Sequence, residues 1–285
     1  MKPTFRRVMR ISISNIAWEV ADDAHVVALL QKHGVDAIDI APGKYFPHPT
    51  AATTDEIAIV RRWWESRGIG IVGMQALLFG TTGLNVFGST ESRAGMMNHL
   101  ISVCRIAAEL GATRLVFGSP KNRDRSGLSD AMAHEIAVAF FYRLGQIAST
   151  YGVTVCLEPN PPRYGANFMT NSDETASVVA AVGHPAIRMQ FDTGAVAING
   201  EDAQEVVETH SQLIGHVHAS EPDLVTLGDG HSDHASAAAA LRSVMPNQIV
   251  AVEMVISKRE PALLAVDRAL DFAVAQYREI RGNPA

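Results

Sequence analysis

The sequence predicts an α/β fold, a single (β/α)8 TIM barrel taken as one domain over residues 1–285, and three observations lead there. Eight short runs of apolar, β-branched character alternate with eight helical patterns. The runs are apolar on both faces, as strands buried in a parallel sheet must be. The first run is not followed by a G-x-G-x-x-G turn, and neither a P-loop nor a Pro/Gly/Ser-rich linker interrupts the chain. That favours a closed barrel over an open doubly wound sheet or two domains.

The elements follow in order along the chain. "VMRISIS" (8–14) is the first strand, and the helix 22–34 after it closes at Gly34. "VDAIDIA" (35–41) precedes a helix over 54–68, with Thr54 as its N-cap and Gly68 as its C-cap. "IGIVGMQALL" (69–78) leads through a long Gly-rich loop to a helix near 91–110, ended by Gly111. "TRLVFGS" (113–119) precedes a polar loop and a helix over about 129–151. "VTVCLEP" (153–159) precedes the helix 171–183, where Asn171 and Glu174 resemble a capping box. "AIRMQFD" (186–192), "LIGHVHA" (213–219) and "IVAVEMV" (249–255) precede helices near 201–211, over 234–244 and over about 260–280.

Composition narrows the functional classes. The chain is 47 % hydrophobic and 19 % charged, ordinary for a globular protein, with a net charge of -6. An acidic balance without basic clusters speaks against nucleic acid as a partner. No run is long and apolar enough to span a membrane, and the basic start lacks the apolar stretch of a signal peptide. The two cysteines, Cys104 and Cys156, sit in apolar periodic segments and read as buried reduced thiols. These features predict a cytoplasmic protein. Homo-oligomer formation is left open by the sequence.

Barrels of this kind carry their chemistry at the C-terminal ends of the strands. Here the fifth strand ends in Glu158, the sixth in Asp192, the seventh in His218 and the eighth in Glu253. Alternation along a strand puts Cys156 with Glu158, Gln190 with Asp192, His216 with His218, and Ala251 with Glu253. The second of each pair lies nearer the rim, so four polar groups converge. Three carboxylates cannot sit together ionised and dry without compensation. Taken singly, each acidic residue reads as a salt-bridge partner or helix cap. Taken together, the set predicts one divalent metal, and suits Mn, Mg, Co or Zn without choosing among them. His216, about two residues deeper, reads as an interior residue supporting the site, and Gln190 as one that orients a ligand.

At these residues the sequence resembles the xylose isomerase-like barrel superfamily, in particular the sugar phosphate isomerase/epimerase group with D-tagatose 3-epimerase-like enzymes and inosose dehydratases. The order Glu, Asp, His in an H-x-H setting, and Glu after strands five to eight carries the resemblance. It implies a metal held by Glu158, Asp192, His218 and Glu253. It also implies proton abstraction from a sugar-like hydroxy-ketone through a metal-stabilised enediolate, with Glu158 and Glu253 as the acid/base pair. The alternatives are an inosose dehydratase-like lyase and a barrel that binds a sugar without turning it over. Two positions depart from the group. Ala195 stands where a substrate-contacting histidine often follows the sixth strand, and Leu224 where the ketose epimerases carry an arginine. Gln75, Ser119 and Ala195 occupy positions where the endonuclease IV-like branch places histidines, so its trinuclear zinc site cannot be assembled.

Further rim residues are candidates for substrate contact. Lys121 and Arg123 stand equally as an anion clamp or as part of a solvated loop. Trp18 offers an apolar wall for a sugar ring or ordinary packing. Asn160 and Tyr164 lie beside Glu158, Glu221 matches an acidic residue of the resemblance, and His231 belongs to a polar loop after the seventh strand. The loop 77–89, with Phe79, Leu84 and Phe87, reads either as a lid or as packed structure.

Overall fold

The computed structural model describes residues 9–278. Eight parallel strands close into a barrel in sequence order: β1 (Arg10–Ser14), β2 (Ala37–Ile40), β3 (Gly70–Met74), β4 (Arg114–Phe117), β5 (Thr154–Leu157), β6 (Ile187–Asp192), β7 (Ile214–Ser220) and β8 (Ile249–Glu253), with β8 paired back to β1. Ten helices accompany them among the described residues: α1 (Asp23–Lys32), α2 (Pro42–Tyr45), α3 (Thr54–Glu65), α4 (Thr90–Leu110), α5 (Asp130–Thr150), α6 (Ser172–Val182), α7 (Thr193–Asn199), α8 (Ala203–His210), α9 (His234–Val244) and α10 (Ala262–Tyr277). Each predicted strand and each predicted helix has its counterpart. The first residue of the predicted first strand and the last two of the predicted final helix lie outside the described residues.

Three local expectations are corrected. The N-cap of α3 is Thr53, not Thr54, because Glu56 must stand three residues on. Thr53 Oγ1 accepts the Glu56 N–H at 3.3 Å and the Glu56 carboxylate accepts the Thr53 N–H at 2.8 Å. Gly68 is not the cap of α3 either; the helix stops at Glu65 with Ser66 as C-cap, and Gly68 turns the chain afterwards at φ +78°. At α6 the box is half made. Asn171 accepts the Glu174 N–H, but the Glu174 carboxylate takes the N–H and hydroxyl of Thr170. The short helices α2 and α7 fall where loops were predicted; α7 starts straight from the end of β6.

Two bulges set the phase of the barrel interior. The β2–β3 register shifts between Ile38 and Asp39, and the β6–β7 register between Met189 and Gln190. The second leaves Gly215 as the extra residue of β7. A Cβ there would lie 2.6 Å from the Arg188 side chain and 3.0 Å from Cys156 Sγ, so only glycine fits. The bulge lets His216 and His218 both turn inward. Cys104 and Cys156 are free and buried. No helix among the described residues is long and apolar enough to cross a membrane.

Candidate metal centre

Glu158 follows β5 directly, Asp192 ends β6, His218 lies within β7 and Glu253 ends β8. One ligand-capable atom of each lies within 4.8 Å of the others. His218 Nδ1 is 3.2 Å from Glu158 Oε1, 3.2 Å from Glu253 Oε2 and 3.9 Å from Asp192 Oδ2. The site is nearly dry: His218 is fully buried and each glutamate side chain is 12 % exposed.

Each carboxylate is held by its neighbours, the two glutamates through one oxygen and Asp192 through both. Asn160 Nδ2 donates to Glu158 Oε2 at 3.2 Å. The Glu158 main chain is fixed by its N–H to Phe117 O and by Arg123 Nη1 donating to its carbonyl at 2.7 Å. Gly118 makes the room, since a Cβ there would lie 2.0 Å from Glu158 Oε2. Asp192 caps α7 by accepting the Ala195 N–H at Oδ1, 2.6 Å, and accepts the Ser220 hydroxyl at Oδ2, 2.8 Å. Gln75 Nε2 donates to Glu253 Oε1 at 2.6 Å. Glu158 Oε1 is buried with no hydrogen-bond partner. Three carboxylates and one imidazole aimed at a common point, with an orphaned buried oxygen among them, fit a hard divalent cation.

Electrostatics point the same way. Burial, then the charges of Glu253 and Glu158, push the Asp192 carboxyl up to about 8. Burial pulls His218 down, but the charge of Glu253 and the close approach of both glutamates outweigh it and hold the imidazole well above its usual range. Burial raises Glu253, and His218 more than offsets it, so the net direction is downward. A cluster that strains its own protonation states in this way is what a metal relieves.

Below the cluster lies a second buried layer. His216 Nε2 pairs with Asp39 Oδ2 at 2.7 Å, and Ser12 Oγ donates to Asp39 Oδ1 at 2.9 Å. The His216 ring stands edge-on to His218 with centroids 5.2 Å apart. Asp39, His216 and His218 also gather within 4.8 Å. In this set, however, Asp39 and His216 already satisfy each other. Gln190 is fully buried and bridges the backbone of β7, its amide oxygen accepting from His218 N at 3.1 Å and its nitrogen donating to His216 O at 3.3 Å.

A cavity of about 580 Å³ opens above the cluster, with Glu158, Asp192 and Glu253 at its floor and Asn160, Tyr164, Ala195 and Leu224 among its walls. Four predicted substrate contacts stand elsewhere. Trp18 is fully buried and donates from Nε1 to Asp23 Oδ1, so it packs rather than walls a sugar. Arg123 is fully buried behind the Glu158 backbone, where burial pulls its guanidinium down to about 10. Lys121 and His231 are exposed and line no part of this cavity. Glu221 does line it, but its carboxylate is spent on its own loop. It accepts from the N–H groups of Gly228 and Ser232 and from His234 Nε2, each at 3.0 Å. Burial raises its carboxyl, but those bonds win and hold it at about 2. Of the expected lid residues, Phe79 stands at the cavity, whereas Leu84 and Phe87 pack against the core. Sequence reasoning missed Gln75, Asp39 and Ser220 as partners of the site. Only inward parity on their strands could have flagged them.

The chain belongs to the xylose isomerase-like TIM barrel family, whose model matches residues 27–275. Among solved structures the fold is shared with D-psicose 3-epimerase with D-tagatose from Clostridium cellulolyticum H10 (18 % identity, 94 % of this chain and 99 % of that one, TM-score 0.78). It is shared too with 3-keto-D-glucoside 4-epimerase, YcjR, from E. coli (18 %, 94 % and 99 %, 0.77) and with the IolI protein with a binding zinc atom (18 %, 94 % and 98 %, 0.74). No curated protein sequence matches the chain.

Proposed function

We propose that the protein is a divalent-metal-dependent isomerase or epimerase of a sugar-like hydroxy-ketone. The observation that carries this reading is the convergence of Glu158, Asp192, His218 and Glu253 within 4.8 Å at the floor of a cavity. The names of the structures that share the fold support it: two are sugar epimerases and one binds zinc. Mn, Mg, Co or Zn bound by the four side chains would supply Lewis-acid polarisation of the substrate carbonyl.

The remaining work falls to the chain itself. Glu158 and Glu253 end strands on different parts of the rim, so a substrate carbon between them meets a carboxylate from two directions. One takes the proton next to the carbonyl and the other returns one. Asn160 and Gln75 each donate to one oxygen of a glutamate, which fixes the orientation of both carboxylates at the cavity floor. Asp192 is anchored by α7 and Ser220, and we assign it the holding of the metal rather than proton transfer.

The test is incubation of metal-loaded protein in D₂O with ketoses, inososes, sugar phosphates and keto-glycosides. Deuterium at a carbon next to a carbonyl is the expected result, and the product distinguishes epimerisation from loss of water. Absence of exchange on every substrate with every one of the four metals overturns the catalytic reading. Elemental analysis tests the site separately. Native protein should hold about one equivalent of metal and Asp192→Ala much less; equal contents would remove the four-ligand assignment.

A further inference from the structure

The walls of the cavity differ from its floor in a way that bears on substrate class. Among the described residues no Lys, Arg or His side chain lines it, whereas five carboxylates do: Glu158, Asp192, Glu221, Asp223 and Glu253. Arg163 comes near only as the ion-pair partner of Asp223, at 2.5 Å. A divalent cation neutralises part of the floor, and the walls, where Asp223 is paired with Arg163 and Glu221 with its own loop, offer no free cation among the described residues. A phosphate or carboxylate on the substrate would find repulsion and no donor fork.

The polar side chains that could receive sugar hydroxyls are largely engaged. Gln75, Asn160 and Ser220 already serve the three carboxylates. The Ser119 hydroxyl donates to Asn122 Oδ1 at 2.5 Å, and the Tyr164 hydroxyl accepts the Asp223 N–H at 2.7 Å. The other wall residues are mainly apolar, with Ile16, Leu77, Leu78, Val116 and Leu224 prominent. Phe79 stands at the mouth with 86 % of its surface exposed. The ring is contiguous with the apolar wall formed by Leu77 and Leu78, and so extends that wall to the mouth of the cavity. A volume of about 580 Å³ falls within the range of roughly 300–1,000 Å³ typical of sites for drug-sized ligands.

We propose, resting on the catalytic reading above, that the substrate is uncharged and carries an apolar substituent beyond its hydroxy-ketone. A keto-glycoside with an aryl or alkyl aglycone has this chemistry, its aglycone lying against Phe79 and Leu224. A sugar phosphate lacks it, and a bare ketose leaves the apolar wall uncovered.

Binding can be read without turnover, by calorimetric titration of metal-loaded protein with three unreactive probes: phenyl β-glucopyranoside, methyl β-glucopyranoside and glucose 6-phosphate. Phenyl glucoside should bind at least about tenfold tighter than methyl glucoside, since even one methylene in an apolar pocket is worth that factor. Glucose 6-phosphate should bind weakest. Phe79→Ala should reduce the phenyl advantage without lowering the melting temperature, because the side chain is exposed. Leu224→Arg should improve glucose 6-phosphate binding relative to phenyl glucoside. Equal affinities for phenyl and methyl glucoside, no binding of phenyl glucoside, or tightest binding of the phosphate would each overturn the proposal. Deuterium exchange on ketoses combined with no phenyl preference leaves the catalytic reading and removes this one. A phenyl preference without exchange on aryl keto-glycosides does the reverse, leaving an apolar-substituent binding site.

Discussion

The two halves of the barrel mouth are built from the same kind of strand and do different work. Strands β5 to β8 carry Glu158, Asp192, His218 and Glu253 at or beside their C-terminal ends, all turned to one point. Strands β1 to β4 bring no ionised group to that cluster. Their ends and loops supply Ile16, Gln75, the apolar stretch from Leu77 to Phe79, and Gly118. One half concentrates charge; the other gives it space, walls and one cross-mouth hydrogen bond from Gln75. The contrast shows how a closed barrel keeps a buried charged cluster and an apolar wall side by side at one mouth.

Breaking the charged half should have the largest effect. Glu158→Gln or Glu253→Gln should lower deuterium exchange by about 10²–10⁴-fold, the usual contribution of a positioned acid or base. A substrate that exchanges equally well with both variants would end the acid/base assignment.

The charged half also holds a carboxylate whose role is structural. Glu221 is fully buried and its pKa falls from 4.5 to about 2 on folding. A lowered folded-state pKa stabilises the protein above the unfolded value, and that stability is lost as pH falls from about 4.5 toward 2. At about 1.4 kcal/mol per pKa unit this amounts to roughly 3 kcal/mol. Melting temperatures of Glu221→Gln should therefore lie below wild type at neutral pH and converge with it in acid. Parallel curves across that window would contradict the assignment.

The neutral half has its own buried carboxylate, and Asp39→Asn tests whether the lower layer supports the upper. Loss of a charge-assisted hydrogen bond to His216 should cost about 1.5–3 kcal/mol in chemical denaturation. Metal affinity should fall about 10–100-fold if His216 and Asp39 orient His218. Lowered stability with unchanged metal affinity would confine Asp39 to packing.

Gly118→Ala sharpens the comparison from the neutral side, since it changes no charge. The added Cβ must displace Glu158 Oε2, and metal binding should weaken about tenfold while the unfolding midpoint holds. An effect of similar size is expected from Gln75→Leu. It removes the 2.6 Å bond to Glu253 and should slow exchange by about tenfold, roughly the worth of one hydrogen bond.

Much of this was legible in the chain. The alternation of apolar runs with helices predicts all eight strands, because a strand buried on both faces has little freedom to be anything else. Parity along four strands brings Glu158, Asp192, His218 and Glu253 together, because inward alternation in a closed barrel leaves few other arrangements. His216 lies beneath His218 for the same reason. The rim loops were not legible. Trp18, Arg123, Lys121 and His231 all stand beyond strand ends, where long-range packing decides whether a side chain meets the cavity, the core or solvent.

What the sequence by itself determined is thus the barrel and the identity of the charged cluster, both fixed by local periodicity repeated eight times. What only the tertiary structure decided is which neutral partners complete that cluster. Gln75 reaches Glu253 across 178 residues, and Asp39 reaches His216 across 177. The walls are decided in the same way, by closure of β8 onto β1 and by bulges that reset which residues face inward. Register and closure are properties of paired strands, and no single strand encodes them.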